Sequence, residues 1–141
     1  MLEQAQHHLT INTRGPGFID VTGEVAGWLR AIGAADGLLT VFVRHTSASL
    51  TIQENADPDV LRDLAEALER TAPRTARYRH ALEGPDDMPA HIKSMLTATT
   101  LGIPVAGGKA VLGTWQAIYL IEHRDRPHAR ELVLHYVGAK R

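Results

Sequence analysis

Residues 45–58 read His45-Thr46-Ser47-Ala48-Ser49-Leu50-Thr51-Ile52-Gln53-Glu54-Asn55-Ala56-Asp57-Pro58. In an extended chain Thr46, Ala48, Leu50 and Ile52 fall on one face, and His45, Ser47, Ser49, Thr51 and Gln53 on the other, which is the period of two a strand imposes. The last two residues change the geometry. Asp57 is suited to cap a helix, and Pro58, with its fixed φ and missing N–H, suits the first helical position. Val60, Leu61, Leu64, Ala65 and Leu68 then recur at spacings of three and four, with Arg62/Glu66 and Glu66/Arg70 as i,i+4 pairs on the exposed side. A strand with one polar face therefore runs into an amphipathic helix, which Pro73 stops.

On the amino-terminal side, His7–Thr13 alternates as a half-buried strand, Arg14-Gly15-Pro16-Gly17 turns the chain, and Asp20–Ile32 has helical spacing with Gly33 at its stop. Leu38–Val43 is a short β-branched run suited to a strand buried on both faces. On the carboxy-terminal side, residues 74–86 carry no periodic signal, and a loop of that length is usually functional. Asp87-Met88-Pro89 opens a second helix with Ile92, Leu96 and Met95 expected to face inward. Ile103–Leu112 reads as a hairpin turning at Gly107-Gly108, and Trp115–Ile121 and Leu132–Val137 as strands. Strands in pairs, interrupted by occasional helices, predict an α+β fold of mostly antiparallel sheets with a few helices packed on them, in a single domain over residues 1–141.

Composition narrows the function classes. The chain has 141 residues, 15 Lys and Arg against 16 Asp and Glu, and a formal net charge of −1. That balance argues against nucleic acid or an anionic membrane as partner. The absence of cysteine excludes disulfides, zinc ribbons, iron–sulfur clusters and thiol chemistry. With no apolar leader and no long apolar run, the expected location is the cytoplasm. Eight histidines stand against two Phe, two Trp and three Tyr, so the imidazoles are the first place to look for chemistry.

His80, Asp87 and His91 bracket the long loop and the next helix start. Asp87 and His91 are i,i+4, and His45 at the foot of the polar-faced strand is a fourth member if the fold brings it near. Three imidazoles and a carboxylate suit a divalent metal with an open position for water or substrate. The bland alternative for Asp87 is a plain helix cap. The polar face from His45 to Gln53, Ser47 included, can line a ligand pocket or can simply face solvent. Gln116 and Glu122 bracket an apolar stretch of one strand face and need partners if buried, whereas His123 and Arg124 are expected to emerge into water. No P-loop, dinucleotide fingerprint or serine-nucleophile elbow is present.

Three long segments resemble the YjbQ-like family, also called the secondary thiamine-phosphate synthase family. They are His45 through Pro58, Gly84-Pro85-Asp86-Asp87-Met88-Pro89-Ala90-His91-Ile92-Lys93, and Leu112-Gly113-Thr114-Trp115-Gln116-Ala117-Ile118-Tyr119-Leu120-Ile121-Glu122-His123-Arg124. The resemblance covers nearly the whole chain. It implies a compact α+β subunit in a homotrimer, with a histidine-lined site near subunit contacts that holds a divalent metal, zinc or magnesium. It further implies a small phosphorylated molecule as partner and a weak thiamine-phosphate synthase (transferase) activity that joins a pyrimidine diphosphate to a thiazole phosphate. Carried over residue by residue, it makes His45, Asp87 and His91 candidate catalytic residues and His45, His80 and His91 candidate metal ligands. Ser47, Lys93, Gln116 and Glu122 become candidate substrate contacts. Two other expectations remain open: a non-catalytic trimeric metal- or ligand-binding protein, and a metal-assisted hydrolase of a small phosphorylated compound.

Overall fold

A computed structural model describes all residues, Met1–Arg141. In chain order the elements are β1 (Glu3–Asn12), β2 (Gly17–Asp20), α1 (Thr22–Ala31), β3 (Ala34–Val43), β4 (Ala48–Glu54), α2 (Pro58–Thr71), α3 (Asp87–Leu96), β5 (Thr100–Ala106), β6 (Lys109–Ala110), β7 (Gln116–Glu122) and β8 (Ala129–Lys140). They form a five-stranded sheet in the order β1-β8-β3-β5-β6 and a three-stranded sheet in the order β2-β7-β4. Every pairing is antiparallel. The α+β class of mostly antiparallel sheets is the one the chain adopts.

The strand periodicity explains the packing. Leu39, Val41 and Val43 of β3 and Leu132, Leu134 and Tyr136 of β8 point toward Ala48 and Leu50 of β4 and Ile118 and Leu120 of β7, while Val21, Val25 and Leu29 join the same core from the α1 segment. β7 is central in the smaller sheet and buried from Ala117 to Glu122, because the larger sheet covers one face and helices stand over the other. Where β3 meets β8, Gly37 lies opposite Gly138. A Cβ on Gly138 would sit 2.4 Å from the Asp36 carbonyl oxygen and 2.5 Å from the Gly37 Cα, so glycine is required by close approach of the backbones.

The helix after Asp57 forms as its sequence dictates. Asp57 Oδ1 accepts the Asp59 N–H at 2.9 Å with Pro58 at the first helical position, an arrangement worth about 1 kcal/mol. Its apolar stripe, however, is only half covered, and no residue of α2 is fully buried. Leu64 and Leu68 stand over Phe18, Thr51, Gln53 and Ile121 on the outer face of the smaller sheet. α3 reverses the expected amphipathic order: it buries Asp87, Pro89, Ala90, Lys93 and Ser94, while Met95 is 77% and Leu96 53% exposed.

Other expectations need correction. Gly17–Asp20 is a strand paired with Tyr119–Glu122, where a turn running into a helix was expected. Phe18 and Ile19 are too few to show a period of two, and the sheet edge supplies the hydrogen bonds that make them a strand. The helix then starts at Thr22, whose N–H is taken by Asp20 Oδ1 at 2.9 Å. β3 and β8 extend beyond their apolar runs, because backbone pairing continues through Ala34 and Lys140. No helix is long and apolar enough to cross a membrane.

Candidate metal centre

His80, Asp87 and His91 come together at the amino end of α3. Asp87 is the first helical residue, and the i,i+4 spacing stacks His91 over it one turn later. Asp87 Oδ2 lies 2.7 Å from His80 Nε2 and 3.4 Å from His91 Nε2. The two imidazoles meet edge to face with centroids 5.6 Å apart. One ligand atom from each residue falls within 4.8 Å of the others. The Asp87 side chain is 3% exposed, against 34% for His91 and 50% for His80. The carboxylate is therefore the floor and the imidazoles are the rim.

Arg124 fixes that floor. Its Nη1 donates to Asp87 Oδ1 at 2.6 Å, its Nε to Asp86 Oδ2 at 2.9 Å and its Nη2 to the Glu83 carbonyl at 2.9 Å. Oδ2 of Asp87 is thereby the oxygen presented to the histidines. Burial pushes the Asp86 carboxyl up, but the bonds from Arg124 and from the Asp125 N–H outweigh it and hold Asp86 below the usual carboxylate range. Asp87 is inside the helix, past the capping position that Asp86 occupies, and its two oxygens are bonded to Arg124 and His80, with His91 Nε2 in ion-pair range. The plain-cap alternative for Asp87 thus finds no support in the geometry.

His45 stands outside this group within the subunit. Its Nε2 accepts the Glu131 N–H at 2.8 Å. Burial, reinforced by the Arg130 charge, pushes its pKa down. Nε2 is therefore an acceptor already in use and Nδ1 carries the proton. Ser47 and Glu122 belong to the same neighbourhood. Arg130 Nη2 donates to Ser47 Oγ at 3.0 Å, and Arg130 Nε and Nη2 donate to Glu122 at 2.8 and 2.5 Å. Thr13 Oγ1 at 2.6 Å and the Arg124 N–H at 3.0 Å complete the Glu122 shell. Burial works to raise the Glu122 pKa, but the Arg130 and Thr13 bonds win and hold it below its ordinary value. Lys93 pairs with Glu69 of α2, and Gln116 is exposed, with Oε1 accepting the Gly113 N–H at 2.8 Å. The sequence-named residues thus divide into the His80–Asp87–His91 group, the His45–Ser47–Glu122 group around Arg130, and Lys93 and Gln116 apart from both. The polar face read from His45 to Gln53 breaks because β4 begins only at Ala48.

Sequence reasoning missed Arg124, Arg130 and His123. His123, expected in water, is 3% exposed, and its Nε2 lies 2.8 Å from Ser49 Oγ. The available signal was the density of charge in Glu122-His123-Arg124-Asp125 directly after an apolar run. Such a cluster at the end of a buried strand requires partners.

A family model described as UPF0047 protein YjbQ-like matches residues 7–139. The chain is 52% identical over 136 residues to the UPF0047 protein sll1880 of Synechocystis sp., covering 96% of this chain and 92% of that relative. It is 43% identical over 129 residues to the UPF0047 protein YjbQ of Escherichia coli O157:H7, covering 91% and 94%. Among solved structures, a hypothetical protein from Aeropyrum pernix K1 superposes with a TM-score of 0.87 at 34% identity, covering 96% of this chain and 99% of that one. A YbjQ-like protein of unknown function from Sulfolobus solfataricus P2 shares the fold at a TM-score of 0.91 and 21% identity, covering 99% and 100%.

Proposed function

The chain belongs to the YjbQ-like UPF0047 family, and on that premise we propose that it holds a divalent cation on His80, Asp87 and His91 and uses that site on a small phosphorylated molecule, with thiamine-phosphate synthesis as its reaction. The observation that carries the reading is the convergence of two imidazole nitrogens and one carboxylate oxygen within 4.8 Å. This donor set fits zinc better than magnesium, which prefers an oxygen shell and keeps several waters. When bound, such an ion neutralises phosphate charge and acts as a Lewis acid toward water or a phosphoryl oxygen.

The chain's own residues do the rest. Asp87, pinned by Arg124, holds His80 through Nε2 and has His91 Nε2 beside the same oxygen, and a bound ion would take the place of the proton between Oδ2 and the imidazoles. The exposed rim formed by the two imidazoles leaves room for a substrate to approach. One observation favours metal-assisted hydrolysis as a second reading: the two cations bonded to the acidic groups beside α3, Arg124 and Lys93, are already committed, Arg124 to Asp86 and Asp87, and Lys93 to Glu69. A departing diphosphate wants a free cationic clamp, which ester hydrolysis needs less. Self-association as a homotrimer belongs to the same proposal. It is supported by exposed Leu82 in the loop before α3, by exposed Met95 and Leu96 at the carboxy end of α3, and by Leu38, Phe42 and Val137 on the open face of the larger sheet.

Elemental analysis after dialysis against zinc tests the centre. The parent and His45→Ala retain about one equivalent, and His91→Ala and Asp87→Asn lose most of it. Undiminished zinc in His91→Ala overturns the assignment. The same four proteins, assayed for pyrophosphate release from a pyrimidine diphosphate and a thiazole phosphate and for phenyl phosphate hydrolysis, separate the readings. Sedimentation with and without chelator shows whether the ion holds subunits together; a monomer in both conditions removes the trimer.

A further inference from the structure

Lys93 lies two residues beyond His91 and so projects from a different side of α3. Its side chain is 5% exposed, and its ammonium, with three protons to donate, has a single partner in the half-exposed Glu69 carboxylate of α2. Next to it, just past the end of β7, is His123, almost wholly buried. Nε2 of that ring is taken by Ser49, which is in turn bonded to Thr97 Oγ1 at 2.5 Å. Nδ1 has no protein partner and is not sealed from solvent, and the ring lines a cavity. Burial, and then the Lys93 charge, lower the His123 pKa to about 4, so the ring is neutral at pH 7.

Both groups open into one cavity of about 490 Å³ between α2 and the smaller sheet, with Phe18, Leu68 and Ile121 as apolar walls. That is the size of a small-molecule site, and beside its apolar walls it is lined by Glu66, Glu69 and Arg70 of α2 and by Lys93, Glu122 and His123. The cavity also accounts for the incomplete burial of α2, whose apolar stripe faces space the protein does not fill. Glu122 lines it too, but its charge is matched by Arg130 and its oxygens are bonded.

We propose that this cavity is a second binding site, distinct from the metal centre, for a small molecule joining an apolar ring to one oxyanion, a carboxylate or a phosphate. The ring packs on Phe18, Leu68 and Ile121. The oxyanion takes the place of the Glu69 carboxylate on Lys93, Glu69 swinging outward from its exposed helix. His123 Nδ1 makes one hydrogen bond to the ligand, and the Ser49–Thr97 pair holds the imidazole in position.

The test is a titration monitored by the His123 ring nitrogens in long-range proton–nitrogen spectra, with chelator present so that the result does not depend on the metal centre. Benzoate and phenyl phosphate shift the His123 resonances saturably at millimolar concentration, and the tighter of the two identifies the oxyanion. Benzamide, which keeps the ring and loses the charge, binds about tenfold more weakly. Lys93→Met weakens the oxyanions by about tenfold or more, and Glu69→Gln tightens them by removing the competitor. Leu68→Trp, which fills the cavity from the half-buried face of α2, abolishes binding of all three probes and serves as the decisive variant should Lys93→Met not fold. An unmoved His123 ring, benzamide binding as tightly as benzoate, or undiminished binding in Leu68→Trp would overturn the proposal.

Discussion

Lowering the pH should destabilise the protein through His123 well before its carboxylates respond. The ring faces Ser49, with Lys93, Glu69, Glu122 and Arg130 as the charged groups around it. Desolvation is the main force against protonation and Lys93 the next, taking the pKa from 6.5 down to about 4. In the unfolded chain the ring regains its ordinary value. Above pH 6.5 it is neutral in both states and contributes no difference. Between 6.5 and 4 the unfolded chain binds a proton the folded one refuses, so stability falls with pH by up to about 1.4 kcal/mol per unit. Over the whole interval this is a loss of roughly 3 kcal/mol, a large part of a small domain's stability. His45, also held low by burial and Arg130, pushes the same way. Glu122, Asp86 and Asp125, with depressed values, take effect only as pH falls below the ordinary carboxylate range. Urea denaturation from pH 7 to pH 4.5 measures the slope, and His123→Gln removes this proton from the balance. The parent should lose stability more steeply than the variant. Parallel curves, or a His123 ring that titrates near 6.5 by NMR, would refute the reasoning.

Arg130→Met should cost about 3–5 kcal/mol in urea denaturation, because it leaves the Glu122 carboxylate buried without its cation; adding Glu122→Gln should recover part of that loss, and additive losses would show that the pair is not the cause. Gly138→Ala should cost about 1–3 kcal/mol or more, because its Cβ would lie 2.4 Å from the Asp36 carbonyl oxygen. Gly102→Ala, which meets nothing within 4 Å, should stay within about 0.5 kcal/mol, and equal melting temperatures for the two variants would remove the close-approach explanation.

The architecture was legible wherever one residue's environment repeats along an element. Leu50 and Ile52, or Ile118 and Leu120, announce a buried strand face by alternation alone, and Asp57-Pro58 announces a helix start by local chemistry. β2 was not legible, since Phe18 and Ile19 become a strand only through pairing with β7, a partner about a hundred residues away. α3 misled for a different reason. The pattern assigned Met95 and Leu96 to the core, but the helix is anchored by Lys93 to Glu69 and by Ser94 Oγ to the Ala48 carbonyl at 3.3 Å. Polar contacts chose its rotation. In the candidate centre, the pairing of Asp87 with His91 follows from helical spacing and was readable. The position of His45 depends on where β4 begins and on a β8 backbone N–H, which no local pattern encodes.

The division of labour between layers follows from which residues build the core. The large apolar cluster draws on both sheets and α1 but on no residue of α2 or α3. The stability of the fold therefore lies in the sandwich, while the helical layer over the smaller sheet is attached by the half-covered Leu64 and Leu68 over Phe18 and Ile121 and by ion pairs and hydrogen bonds around a partly open space. Those bonds depend on particular partners: Lys93 needs Glu69, Arg124 needs Asp86 and Asp87, and Ser49 needs His123. Apolar packing would tolerate many substitutions there; these contacts tolerate few. The arrangement leaves α3 free to present Asp87 and His91 at one end and Lys93 along its side without asking either to support the core. Substitutions at the proposed metal centre should accordingly change what binds while the sandwich stays folded, and a site of this kind can vary in ligand while the scaffold beneath it is retained.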